Sequence, residues 1–130
     1  MSVAATVTKL KTIVKRPNSE ELERIEAQGL ALNWYEVSGV IPQPVKLKRS
    51  PAGVNHLLFA IEHRSTQIEA DLPRNSYVRM QVVISGEAAT QWANELTEGC
   101  AVRVGGFLNR HADANGLAKL VLHAQQLQKI

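Results

Sequence analysis

Tyr77-Val78-Arg79-Met80-Gln81-Val82-Val83-Ile84-Ser85-Gly86 runs directly into Glu87-Ala88-Ala89-Thr90-Gln91-Trp92-Ala93-Asn94-Glu95-Leu96-Thr97-Glu98-Gly99, and the change of rhythm between them decides the fold. In the first run Val78, Met80, Val82 and Ile84 hold alternate positions, so a strand gathers them on one face and turns Tyr77, Arg79 and Gln81 the other way. In the second, Ala88, Trp92 and Leu96 recur at the helical interval, with Ser85 or Gly86 to start the helix and Gly99 to stop it. An aromatic in the middle of such a stripe reads as a core plug, which is the expectation for Trp92.

Working outward, the chain from Asn33 onward reads as short strands separated by turn chemistry. A strand from Trp34 to Ile41 ends at Pro42 and Pro44, which cannot donate to a ladder. A basic loop, Lys46-Leu47-Lys48-Arg49, leads into Ser50-Pro51-Ala52-Gly53, the residue preferences of a type I turn. The next strand, Asn55 to Arg64, puts Leu57, Phe59 and Ile61 on the core face and Leu58, Ala60, Glu62 and Arg64 on the other. A polar loop is expected from Ser65 to Asn75. Beyond the helix comes a strand from Cys100 to Leu108, in which Gly105-Gly106 marks a bulge or bend. A loop from Asn109 to Gly116 contains the hairpin pair Asn115-Gly116, and a last strand runs from Leu117 to about Leu127 with Leu120 and Leu122 on one face. Strand, strand, strand, helix, strand, strand is the order of an all-β, five-stranded OB-fold barrel, although other small barrels share the strand count.

Composition bounds the function classes. The 130 residues suit one compact domain, and 45% hydrophobic with 21% charged residues is the balance of a chain that folds. The single cysteine, Cys100, excludes an intramolecular disulfide framework and a multi-cysteine zinc site, and reads as a small buried hydrophobe. No stretch approaches the roughly 20 apolar residues of a membrane span, and Lys9, Lys11 and Lys15 break up a start that has no signal-peptide pattern. A cytoplasmic protein with no membrane partner is therefore expected. His56, His63, His111 and His123 lack zinc-motif spacing, no serine sits in a nucleophile elbow, and no glycine loop cradles phosphate. Neither an enzyme nor a cofactor is expected. The net charge of +3 is compatible with a polyanionic partner without requiring one.

Several runs along the chain together resemble one family: Val37-Ser38-Gly39-Val40, Ser50-Pro51-Ala52-Gly53, Glu62-His63-Arg64-Ser65, Val83-Ile84-Ser85-Gly86, Gly106-Phe107, Asn115-Gly116-Leu117 and Leu122-His123-Ala124. They are similar to the signature stretches of the primosomal replication protein N (PriB) family, in family order and spacing, from about Asn33 to Ile130. The resemblance implies an OB-fold homodimer related to bacterial single-stranded DNA-binding proteins. It also implies a non-catalytic accessory role in replication restart, with single-stranded DNA, the restart helicase PriA and the helicase-loading primosome proteins as partners.

The DNA surface carries over residue by residue. Lys48, Arg64, Arg74 and Lys119 match basic family positions, and Tyr77 stands where the family often has a stacking tryptophan. Lys46 and Arg49 belong to the same basic loop as Lys48, and Arg110 and His111 are the available substitutes where the family can carry two lysines and this chain has Ala112 and Ala114 around Asp113. Leu72 likewise replaces an aromatic. The bland reading of Lys46, Lys48 and Arg49 is a solvated loop, but beside an outward-facing Tyr77 and Arg64 in an OB-like frame they favour a binding groove. For Arg79 the choice between groove and mere solubility stays open. The loss of two loop lysines keeps a second reading open as well, a protein-interaction module with weak or lost DNA binding. A cold-shock RNA binder ranks last, because the aromatic-rich strand motifs are missing.

Residues 1–32 lie outside the resemblance and form an extension to a domain at 33–130. Asn18 can cap a short helix with Glu21 three residues on, Leu22 and Ile25 on one face and Gly29-Leu30 as a stop. Nothing in the extension indicates its role.

Overall fold

The computed structural model describes residues 18–27 and 31–130, with the side chains of 24–27 excepted. In the extension, α1 spans Ser19–Ala27. Asn18 caps it as expected: its Oδ1 accepts from the backbone N–H of Glu21 at 2.9 Å. Ile25 and the Gly29-Leu30 stop lie outside what is described.

The remainder is a barrel. β1 (Tyr35–Val40) is followed by a short β2 (Lys46–Arg49), β3 (Asn55–Glu69), β4 (Leu72–Ser85), α2 (Glu87–Ala93), β5 (Ala101–Ala112) and β6 (Ala118–Lys129). The sheet runs β1-β5-β6-β4-β3-β2, and a β1–β3 pairing at Val40↔Glu62 closes it. All neighbours are antiparallel except β4 and β6, which run parallel from Gln81↔Val121 to Val83↔His123. This is the OB-fold, and its first barrel strand is present in two pieces. Pro42 and Pro44 interrupt it, so that β1 pairs with β5 while β2 pairs with β3 through Lys46↔Leu58 to Arg49↔Asn55.

Two expected loops are strands. Lys46–Arg49 is β2 rather than a free loop, because backbone pairing to β3 leaves its alternating side chains exposed on both sides. The larger correction is at Ser65–Asn75, where β3 and β4 continue as one hairpin paired as far as Glu69↔Leu72. Its two-residue turn, Ala70-Asp71, has φ of 53° and 63°, the left-handed pair of a type I′ turn. Asn-Gly would have announced such a turn in the sequence. Ala-Asp does not, and Pro73 reads as a breaker although it lies in the ladder opposite Ile68. On the other ribbon β5 likewise reaches Ala112, shortening the expected loop to a tight turn in which Asp113 Oδ1 accepts from the N–H groups of Asn115 and Leu117, both at 2.9 Å.

The core is the inner face of the barrel: Leu57, Phe59 and Ile61 from β3, Val82 and Ile84 from β4, Val102 and Val104 from β5, and Leu122 and Leu127 from β6. Trp92 is 0% exposed and sits among them as the plug the stripe predicts. α2 packs against β2, β3 and β4, and it ends sooner than Glu98 because Asn94 caps it; the N–H groups of both Glu95 and Leu96 turn back to the Trp92 carbonyl. The bulge expected at Gly105-Gly106 is present as a register shift. A Cβ on Gly106 would strike the His123 carbonyl, and one on Gly105 would lie 2.8 Å from Trp34 Cζ2, so this crossing of strands needs glycine.

Candidate nucleic-acid interface

Because opposed residues in a ladder share a face, the registers define one continuous outer surface across the barrel. On β3 it carries His56, Leu58, Ala60, Glu62 and Arg64, opposite Ser85, Val83, Gln81, Arg79 and Tyr77 of β4. Lys46 and Lys48 extend it on one side, opposite Leu58 and His56. β6 extends it on the other with Lys119, Val121 and His123, opposite His111, Asn109 and Phe107 of β5. From His56 to Arg64 the surface is about 26 Å long at roughly 3.3 Å per residue.

At one end Tyr77 is 50% exposed. The Arg64 guanidinium carbon lies 4.5 Å from its ring centroid, a cation–π contact covering one face of the ring. Glu62 organises this end: its Oε2 accepts from the Tyr77 hydroxyl at 3.0 Å and from Arg79 Nη1 at 2.8 Å. Arg79, whose role the sequence leaves open, is thus an ion-pair partner that holds the carboxylate anchoring Tyr77. Both side chains of the pair are partly exposed, so solvent screens it and its worth lies in orientation more than in stability.

The structure brings Lys46, Lys48, Arg64, Tyr77 and Lys119 onto this one face, and does not bring the other three candidates with them. Arg49 alternates away from Lys48, and its Nη2 lies near Gly53 over the Ser50–Gly53 turn, which closes as expected with Gly53 N–H donating to Ser50 O at 2.8 Å. Arg74 is opposite Gln67 on the reverse side of the hairpin and pairs with Glu69 at 3.3 Å. Arg110 is opposite Leu120, in the alternation that places Leu108 and Leu122 inward.

At the far end three rings meet. Phe107 and His123 stack with centroids 4.7 Å apart and 3° between planes. His111 approaches His123 with Nε2 atoms 3.0 Å apart. Burial first, and the neighbouring His111 second, hold the His123 imidazole below its usual pKa. Of these three only His111 is a DNA-surface candidate in the sequence. The signal that could have found the cluster is the alternation Phe107-Asn109-His111 facing Lys119-Val121-His123 across a two-stranded ribbon. Among the described residues no group of three His, Cys, Asp or Glu side chains is placed to hold a metal, and no helix is long and apolar enough to cross a membrane.

A barrel of this order with a basic, aromatic-bearing outer face defines a class, the OB-fold single-strand binders, and residues 33–126 match the model described as another single-strand binding protein family. The chain is 43% identical over 98 residues to replication restart protein PriB of Vibrio cholerae, covering 75% of this chain and 98% of that protein. The chain belongs to the PriB family. Among solved structures it is similar to the protein PriB from Ralstonia solanacearum, with 20% identity, a TM-score of 0.61, and 77% of this chain and 100% of that one covered. It is also similar in fold to the single-stranded DNA binding protein from Thermus aquaticus, with 18% identity and a TM-score of 0.66, over 76% of this chain and 50% of that one.

Proposed function

We propose that the chain is a single-stranded DNA-binding accessory protein of replication restart, which holds a strand on the outer barrel face and stimulates the restart helicase PriA without catalysis of its own. One observation carries the reading: Lys46, Lys48, Arg64, Arg79 and Lys119 share a face with Tyr77, and Glu62 is the one carboxylate among the ladder positions of that face. Phosphates take the cations and a base takes the open side of the tyrosine ring, an arrangement that binds strands with little regard to sequence. Arg49, Arg74 and Arg110 stand at the margins, where long side chains meet phosphates entering or leaving. Residues 33–130 are the working domain in this reading, and 1–32 an extension.

The same reading includes a cytoplasmic homodimer. β1 pairs with β5 along Tyr35–Val40 but meets β3 only at Val40, so most of its second edge carries no strand, and a second copy would cover it. The alternative, a primosome scaffold with weak DNA binding, is favoured by one feature, the exposed Ala112 and Ala114 at the tip of the β5–β6 ribbon. Titration of a labelled oligonucleotide at several salt concentrations, followed by PriA unwinding assays with and without the protein, tests the proposal. Salt-dependent binding together with faster unwinding supports it; faster unwinding without binding gives the scaffold reading the advantage.

A further inference from the structure

Between β2 and the β5–β6 ribbon the outer face dips into a trough of about 450 Å³, within the size range of small-ligand clefts, roughly 300 to 1,000 Å³. Leu58, Val83 and Val121 give it an apolar floor; His56, His111 and His123 wall it; Lys48 stands at its rim, next to Arg49, whose guanidinium lies over the Ser50–Gly53 turn. No carboxylate lines it. Apolar floor, flat nitrogen-bearing walls and cationic rim are the requirements of a nucleobase with its phosphates.

The two imidazoles are not face to face. Ring centroids 5.2 Å apart with Nε2 atoms at 3.0 Å describe two rings joined edge to edge, and the 28° between their planes leaves them nearly coplanar. One Nε2–H donates to the lone pair of the other, so the pair stands when the two Nε2 atoms share a single proton. The result is a plate two rings wide. Phe107 backs it by stacking on His123 and does not itself line the trough. On the opposite wall His56 Nδ1 is fixed against Ser85 Oγ at 2.8 Å.

We propose that this trough is a nucleobase subsite, in which one base of a bound single strand packs against the joined His111–His123 plate while Lys48 takes the adjoining phosphate. It rests on the strand-binding reading above and adds a second base contact to Tyr77. Leu58 and Arg64 are six positions apart on β3, about 20 Å, so one strand can reach both within the roughly 4 to 16 nucleotides an OB-fold covers.

The experiment uses the full chain and an oligothymidylate of about 16 nucleotides. His111 is exposed and at the end of the ribbon, so replacing it leaves the core untouched. DNA should shift the imidazole resonances of His111 and His123. His111→Ala should weaken binding about five-fold or more with an unchanged salt slope, since stacking involves no counterion release. His111→Phe, which keeps a ring, should bind within about two-fold of the original chain. If the original chain binds and Tyr77→Ala weakens it, while the imidazole resonances stay put and His111→Ala binds normally, the strand bypasses the trough; the subsite falls and the strand-binding reading stands. A salt slope reduced by about 0.7 in His111→Ala makes it a phosphate contact and also overturns the subsite. If no oligonucleotide binds the original chain at any salt, both readings fall together.

Discussion

Trp92 and Tyr77 are both single aromatics in the middle of an otherwise regular element, and the barrel uses them in opposite ways. Trp92 is 0% exposed, driven inward by helical spacing with Leu96; Tyr77 is 50% exposed, driven outward by the alternation that buries Val82 and Ile84. Period, not residue type, decides which ring fills the core and which stays available. An aromatic is therefore informative about function only once its element's rhythm is known.

The largest way to break that comparison is Trp92→Ala. Emptying a fully enclosed indole site removes transfer free energy and leaves a cavity, a loss of about 3 to 5 kcal/mol. The melting temperature should fall steeply. At a temperature where the variant is folded, its affinity for single-stranded DNA should match that of the original chain. A variant that melts normally but loses DNA would show that the two rings have been exchanged.

Tyr77→Ala should do the reverse. Loss of one base stack costs roughly 1 to 3 kcal/mol of binding. The melting curve should barely move, since the ring lies outside the core cluster. Glu62 sharpens the test. Tyr77→Phe keeps the ring and loses only the bond to Glu62, so it should bind closer to the original chain than to Tyr77→Ala. Equal losses in the two variants would make the hydroxyl, not the ring, the working part.

How far the sequence could be read follows the same logic of rhythm. Where alternation was strong and bounded by glycine or proline, as in Val78–Ile84, Ser50–Gly53 and Gly105-Gly106, elements and their faces were legible, and so was the placement of Tyr77, Arg64 and the Trp92 plug. Where strands leave the barrel, both faces are wet and the alternation fades: Ser65–Glu69 and Leu72–Asn75 carry polar residues on both sides, so a ladder there looks like a loop. That missed extension carries Arg74 with it, since only the ladder shows that Arg74 faces away from Tyr77. The ring cluster at Phe107, His111 and His123 was hidden for a different reason. Its members come from two strands, and their meeting depends on a register that the Gly105-Gly106 bulge resets.

A smaller effect separates the near and far margins of the basic face. Ala112→Lys with Ala114→Lys should steepen the dependence of log affinity on log salt by on the order of one unit, if both cations reach phosphate. Lys48→Ala should flatten it by about 0.7. Arg74→Ala, on the reverse side of the hairpin and already paired with Glu69, should change it least. Three equal slopes would move the strand off this face.

The smallest effect is on stability and belongs to His123, the ring at the opposite end of the face from Tyr77. Its pKa in the folded chain is held below the ordinary value of 6.5, first by burial and second by His111. An unfolded chain therefore takes up this proton more readily than the folded one. The sign follows: the contribution of His123 is fully present above about pH 6.5, and acid erodes it as pH falls through the lowered folded value. Because His123 is only partly buried, the swing should be the least of the four. Melting curves at neutral and mildly acidic pH should show it as a drop on acidification. His111→Ala should reduce that drop without abolishing it, because burial, the larger cause, survives the substitution. His123→Gln should abolish this component while leaving the remaining pH dependence in place. A drop that vanishes completely in His111→Ala would make the neighbouring imidazole, rather than desolvation, the dominant influence on His123.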